Sequence, residues 1–261
     1  MFSDNPFAVL APSVPPLAMQ VFVVAIIALV ASGTLFDMWH KRSAAYFFGN
    51  WRRAKGNGKR AVGGGEFAAL AITTAAVDVL ASGEFCSVRR RIAHLLTMYG
   101  FLAYAIATII MVFRYPTPDV PTPAILPALW YIGALLVCFG GYWFWFFIRV
   151  DVAAGGRSPF HIVRADLFVL SLLASTTLGL VWAALQATGS AWTILFLGLY
   201  LAANLVLFGS VPWSKFSHMF YKPAAAFQRR VEDANGGRCN LPQPADRPEI
   251  FGSARSQPRH Y

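Results

Sequence analysis

Residues 17–39 read LAMQVFVVAIIALVASGTLFDMW, a continuously apolar run of 23 residues. A helix rises about 1.5 Å per residue, so roughly 20 such residues cross a hydrocarbon core of about 30 Å. A strand of the same composition would leave backbone N–H and C=O groups unpaired in lipid, so the run reads as a membrane helix. Residues 1–16 carry no Lys or Arg. A cleaved signal peptide needs a basic segment there, and the run is therefore expected to stay as a span.

Four further stretches meet the same requirement: Ile92–Phe113, Leu126–Ile148, Leu167–Gln186 and Ala191–Val211. The composition agrees, with 57% hydrophobic residues and only 13% charged, a balance that excludes an ordinary soluble domain of 261 residues. The expected fold is all-α, a polytopic bundle of five transmembrane helices. The membrane domain is placed at 1–222, with the last helix extending to about 221, and a basic tail at 223–261.

The net charge of +10 is distributed unevenly. Lys and Arg number ten in 40–91, three in 149–164 and eight in 215–259, with none in 1–16, 115–125 or 187–190. Only Arg114 falls at the other end of a helix. This alternation is the positive-inside pattern, and it puts the N-terminus outside and the C-terminus inside. It also accounts for the positive charge without nucleic acid. The loop Tyr115–Pro123, YPTPDVPTP, is stiff and free of basic residues, as an outer loop should be.

The moderately apolar stretch Glu66–Phe85 competes as a sixth span. Crossing there would separate Arg52, Arg53, Lys55, Lys59 and Arg60 from Arg89, Arg90 and Arg91, and would bury Asp78 at a cost of about 2.5–3.5 kcal/mol. Phe67, Leu70, Val77 and Leu80 fall instead on one helical stripe, which suits an interfacial helix between the first and second spans. The tail from KPAAAFQRRVEDANGG to SQPRHY has no sustained apolar period and reads as partly disordered, or ordered on a partner.

Cys86, Cys138 and Cys239 are too few and too scattered for a four-cysteine iron–sulfur site, so any cluster is expected in a partner. No hydrolytic triad, metalloprotease helix or phosphate-cradling loop is present, and Gly63–Gly65 lacks the strand and helix that would give it meaning. Of the five histidines, His40 and His161 read as interfacial, and His260 lies at the end of the tail. His94 and His218 differ by context. His94 lies one turn inside the second helix in RRRIAHLLTMYGFL, and His218 lies in VPWSKFSHMFYKP at the same inner depth. Two imidazoles from different helices at one level are what a bis-histidine haem b requires. Arg89, Arg91 and Lys215 are candidates to neutralise its propionates.

Three stretches, RRRIAHLLTMYGFL, RADLFVLSLLASTTLGL and VPWSKFSHMFYKP, resemble the gamma, cytochrome b subunit of respiratory nitrate reductase and its relatives. These relatives include membrane subunits of heterodisulfide-reductase-like complexes and of adenylylsulfate reductase. In that family the second and fifth helices each supply two histidines, for an inner and an outer haem. The resemblance makes His94 and His218 the inner pair, with the iron as their metal. Tyr104 and Tyr200 stand where the outer ligands belong, ten residues beyond His94 and eighteen before His218. The resemblance thus implies one haem; the two tyrosines themselves either pack in the core or face a cavity there and hydrogen-bond a quinone, as a phenol can in an apolar site.

A small chain with no cluster-binding domain and an extended basic tail is most similar to the adenylylsulfate reductase anchor. This implies a bacterial inner membrane, a cytoplasmic partner with FAD and iron–sulfur clusters docking on the basic face, and quinone as redox partner. Catalysis would then belong to the complex and not to this chain alone. The alternatives are a haem-free anchor for the same enzyme and a cytochrome b subunit of a nitrate reductase or heterodisulfide-reductase-like complex. A small transporter has the least support, because no internal repeat is found.

Overall fold

A computed structural model describes residues 3–40, 43–83, 85, 87–149, 160, 162, 166–212 and 218–237, and every element among them is helical. The order is α1 (Pro6–Leu10), α2 (Pro16–His40), α3 (Ser43–Gly56), α4 (Gly64–Thr73), which runs on into a π-helical segment (Thr74–Leu80), and α5 (Val88–Arg114). There follow α6 (Ile125–Trp143) with a π-helical end (Phe144–Ile148), α7 (Leu167–Ala187), α8 (Thr193–Gly209) and α9 (His218–Asn235). Among the described residues four helices are long and apolar enough to cross a membrane: α2, α5, α6 with its π end, and α7. At 17 residues α8 is shorter, and its rise of about 25 Å falls short of a full hydrocarbon core.

Sequence explains the ends of these helices. Pro6 occupies the first turn of α1, where its missing N–H costs nothing, and Asn5 Oδ1 accepts from the backbone N–H of Phe7 and Ala8 at 3.0 and 3.3 Å. After Arg114, Tyr115 leaves the helical region, which the following Pro116 disfavours for it. Gly236 ends α9 at φ +71°, a conformation that glycine adopts without a Cβ clash.

The tightest pairing is between α5 and α6, and small residues permit it. A Cβ on Gly100 would lie 2.7 Å from the Gly133 carbonyl oxygen, and one on Gly133 would lie 2.7 Å from the Gly100 oxygen and the Tyr104 nitrogen. Backbones this close gain dispersion contacts that longer side chains would prevent. Around the seam the fully buried Trp130, Met111 and Trp182 form the centre of the bundle.

Both ends of the bundle are tied. At one end Asn5 Nδ2 donates to the Tyr115 carbonyl at 2.8 Å and to Thr122 Oγ1 at 3.1 Å, and Gln186 Nε2 donates to the Pro6 carbonyl at 2.7 Å. At the opposite, basic end α3, α4 with its π segment and α9 pack together. Phe227 stacks on Trp51 and meets Phe67 edge-on at 4.8 Å. Asn235 Nδ2 donates to the Ala54 carbonyl at 3.0 Å, and Lys59 N–H to the Asn235 carbonyl at 2.8 Å. Arg149 and Asp166 form a bidentate pair across the connection from α6 to α7, with the guanidinium 4.2 Å over the Trp145 ring.

Three expectations change here. The fifth apolar helix does not run on to about residue 221. It ends at Gly209, and the chain turns over Ser210–Pro212, because Pro212 has no N–H to continue the helical ladder. The proposed tail boundary at 223 falls inside a helix, since α9 passes through Pro223 to Asn235. Residues 66–80 are helical, as the stripe implied, but a second helix, α3, also lies between the first and second apolar helices. Asp78 is held by Arg230, with Oδ2 2.6 Å from Nε and Oδ1 2.9 Å from Nη2, so α9 supplies its charge partner. Residues 238–261 lie outside the described residues.

Candidate functional site

At the basic end the imidazole of His94 is half-buried, and its Nδ1 makes a 3.0 Å hydrogen bond with Ser82 Oγ. The ring also packs on Phe85, centroid to centroid 4.9 Å. Ser82 is 2% exposed and sits at φ +50°, a left-handed conformation that costs a non-glycine residue about 1–2 kcal/mol. The turn is held from both sides: Gly83 N–H donates to the Val77 carbonyl at 2.7 Å, and Arg91 Nε to the Ala81 carbonyl at 2.7 Å. The Ser82 hydroxyl thereby fixes one ring nitrogen of His94 and the orientation of its ring.

His218 opens α9, but its side chain lies outside the described residues, as does Lys215. The start of α9 nonetheless comes close to His94: Lys222 Nζ is 5.7 Å from the centre of the Phe85 ring that packs on the imidazole. Arg89 is exposed at the first turn of α5. Arg91 directs its Nε to a backbone carbonyl, which takes one of its five donors. The imidazole, the exposed Arg89 and the start of α9 thus lie together at this end of the bundle.

The two tyrosines singled out by position meet. Tyr104 OH donates to Tyr200 OH at 2.7 Å, and both residues are buried. Asn204 Nδ2 donates to the Tyr200 carbonyl at 2.8 Å, and Ser175 Oγ to Asn204 Oδ1 at 3.0 Å. Gly179 makes room for the pair, since a Cβ there would lie 3.0 Å from the Tyr104 hydroxyl oxygen and 3.1 Å from the Tyr200 ring. Trp182 stacks on Tyr200 at 5.6 Å with the planes 7° apart, and Trp130 lies 5.1 Å from Tyr104. Phe7 from the N-terminal helix contacts both indoles, at 6.0 and 5.7 Å.

This polar pair forms part of the wall of a cavity of about 840 Å³ that runs between α2 and the helices α5, α7 and α8. Apart from Thr34, Tyr104, Thr108, Ser175, Tyr200 and Asn204 the lining is apolar, and among the described residues that line it none is charged. Sequence reasoning located the tyrosines but missed Ser175 and Asn204, which look like ordinary small polar residues in apolar helices. It missed Ser82 as well, because nothing local marks a serine for positive φ. Asp37, 2% exposed near the basic end of α2, also escaped notice inside its apolar run.

The remaining candidates are distributed elsewhere. His40 stacks on Phe36 at 5.5 Å near the exposed end of α2. Cys138 is a free thiol 3.5 Å from Thr176 Oγ1. His161, His260, Cys86 and Cys239 lie outside the described residues. Among the described residues no three of His, Cys, Asp and Glu cluster as a metal-ion site.

Among the described residues, fold and site together show a helical protein with four helices able to cross a membrane and a neutral polar cluster facing an apolar cavity. No protein-family profile matches the chain, and no solved structure matches it. Among curated proteins it is similar to citrate utilization protein B of Escherichia coli, 27% identical over 168 residues. That stretch covers 62% of this chain and 42% of the relative, so the chain spans less than half of that protein's length.

Proposed function

We infer that this chain is the membrane-bound electron-transfer subunit of an oxidoreductase, linking a soluble flavo-iron–sulfur partner to quinone through one haem b. It crosses the bilayer five times, with α8 as the short fifth span and the basic end in the cytoplasm. Five crossings put Asn5, Tyr115–Pro123 and Gln186 on one side, and these residues are hydrogen-bonded together at one end of the bundle. The basic helices α3 and α9 pack at the opposite end, where the partner docks.

The observation that carries the reading is the contact of His94 with Ser82. A serine held in a strained backbone conformation, with its hydroxyl on the imidazole, orients that ring as a ligand needs. His94 would hold the iron together with His218, and Arg89 and Lys215 would face the propionates. Haem b bound there supplies one-electron transfer between the partner's clusters and quinone. Tyr104 and Tyr200 bond to each other where a second pair of haem ligands would stand, which supports a single haem at the basic end.

The test is the absorption spectrum of the purified chain. A haem b band that disappears in His94→Ala and in His218→Ala is expected; a haem-free protein that still passes electrons to quinone overturns the ligand assignment and leaves the haem-free anchor.

The substrate belongs to the partner. The resemblance favours adenylylsulfate, whereas the name of the curated relative points to citrate. A tricarboxylate bound by this chain itself is not favoured, because the cavity wall offers no cation among its described residues. Identification of the soluble proteins that co-purify with the chain separates the two.

A further inference from the structure

The cavity beside α2 has features that packing alone does not require. Its lining on α2 runs from Ala18 to Leu35, a rise of about 25 Å. α2 is also the most weakly embedded of the four long helices, with 11% of its most apolar stretch buried against 28–50% for the others. The groove between α2 and the bundle is therefore long, greasy and flanked by a helix with few commitments. Its end nearest the N-terminus is closed by Phe7 and Leu10, in the segment that Asn5 ties to Tyr115 and Thr122.

The polar groups in its wall are all neutral. Two phenols sharing one hydrogen bond keep one O–H to give, which the neighbouring Asn204 or the carbonyl of a ligand can accept. Asn204 and Ser175 extend the row. Uncharged donors suit a neutral carbonyl, whereas a carboxylate or phosphate calls for cations or a cluster of backbone N–H groups. A head group with carbonyl acceptors and a long apolar chain matches both the wall and the length of the groove.

We propose that this groove is the binding site of a membrane quinone, entered sideways past α2, with the head group on the Tyr104–Tyr200–Asn204 row and the isoprenoid chain along α2. The proposal rests on the electron-transfer reading above and adds to it where the quinone sits, which residues hold it and how it enters. The Phe7 segment closes the end of the groove that lies outside in the proposed topology. Exchange of the ligand therefore occurs through the lipid and not from the outer water.

The full-length chain in nanodiscs, labelled with a short-chain azidoquinone and mapped by mass spectrometry, tests this. Label is expected on the peptides holding Tyr104–Ala105, Tyr200–Asn204 and the Val23–Val30 part of α2, with unlabelled quinone competing. Two variants should each weaken labelling by about tenfold, as loss of a buried hydrogen bond or filling of the cavity does: Tyr104→Phe with Tyr200→Phe, and Ala105→Phe on the groove wall. Label confined to the His94 end, or indifferent to Ala105→Phe, overturns the proposal. So does competition by added phospholipid but not by quinone, which marks the groove as the seat of a lipid acyl chain. Labelling needs neither haem nor partner, so loss of the haem band with labelling intact counts against the haem ligands and not against the groove.

Discussion

The hydroxyls of Tyr104 and Tyr200 lie 2.7 Å apart, joining α5 to α8 through a hydrogen bond between residues 96 positions apart in the chain. In an apolar bundle such a bond is a modest clamp, because the unfolded chain in the membrane also finds partners. A double-mutant cycle with Tyr104→Phe and Tyr200→Phe is expected to give a coupling of about 0.6 kcal/mol, with ~1.7 kcal/mol as the upper range. Additive single effects in detergent unfolding would remove the bond from the account.

Ser82 is expected to matter out of proportion to its size. Outer partners of metal-bound histidines typically contribute about 10–100-fold to metal affinity. Ser82→Ala should therefore lower haem retention by an amount in that range, whereas Ser82→Thr, which keeps the hydroxyl, retains most of it. Titration of haem into the purified apoprotein measures this. Equal haem affinity in the wild type and Ser82→Ala would show that the hydroxyl does not orient a ligand.

The seam of α5 and α6 has no slack at Gly133, where a Cβ would meet the Gly100 oxygen and the Tyr104 nitrogen at 2.7 Å. Backbone atoms cannot swing aside as a side chain can, so the helices must part. Gly133→Leu should lower stability by at least the ~1–3 kcal/mol typical of overpacking, read as an earlier melting transition in detergent. Gly198→Leu, on α8 where nothing lies within 4 Å of the added Cβ, is the control and should leave the transition in place.

The ion pair of Asp78 with Arg230 fastens α9 to the π segment, and its side chains are 12% and 32% exposed. Breaking it by Asp78→Asn should loosen α9, seen as faster amide exchange over residues 224–235. Protection should return in the swapped variant Asp78→Arg with Arg230→Asp. If the swap leaves exchange as fast as the single variant does, the aromatic contacts of Phe227 and not the charges hold this helix.

A pH effect is expected at the turn before α4. Arg60 donates to both oxygens of Glu66, at 2.5 and 2.8 Å, and this hydrogen bonding with the attraction of the guanidinium holds the Glu66 carboxyl below its ordinary range. A carboxyl whose pKa is lowered on folding contributes stability that is present above its unfolded pKa and lost as pH falls through the folded one. Amide exchange at residues 61–66, corrected for its intrinsic pH dependence, should thus rise on acidification below the usual carboxylate range. Glu66→Gln should abolish that dependence. Both side chains are exposed, so the effect stays local.

The sequence by itself determined the helices. An apolar run of sufficient length needs no partner to be read, and each of the five stretches became a helix, though the fifth ends at Gly209 and not near 221. The uneven spacing of Lys and Arg along the chain was equally legible, since it is a matter of composition alone. Legibility failed where contacts over long separations set the outcome. The part of α9 beyond residue 222 read as a partly disordered tail because its ordering comes from Asp78, Trp51 and Ala54, more than a hundred residues away.

Only the tertiary structure decided what the polar residues do. Positions 104 and 200 could be matched by counting, but that their hydroxyls meet, with Asn204 and Ser175 beside them and a cavity in front, follows from how four helices pack. Likewise a serine twelve residues before His94 has no reason to touch it until the turn at φ +50° brings it there. Burial in lipid selects helices from local composition, whereas side-chain meetings depend on rotation and spacing between helices, which no single stretch encodes.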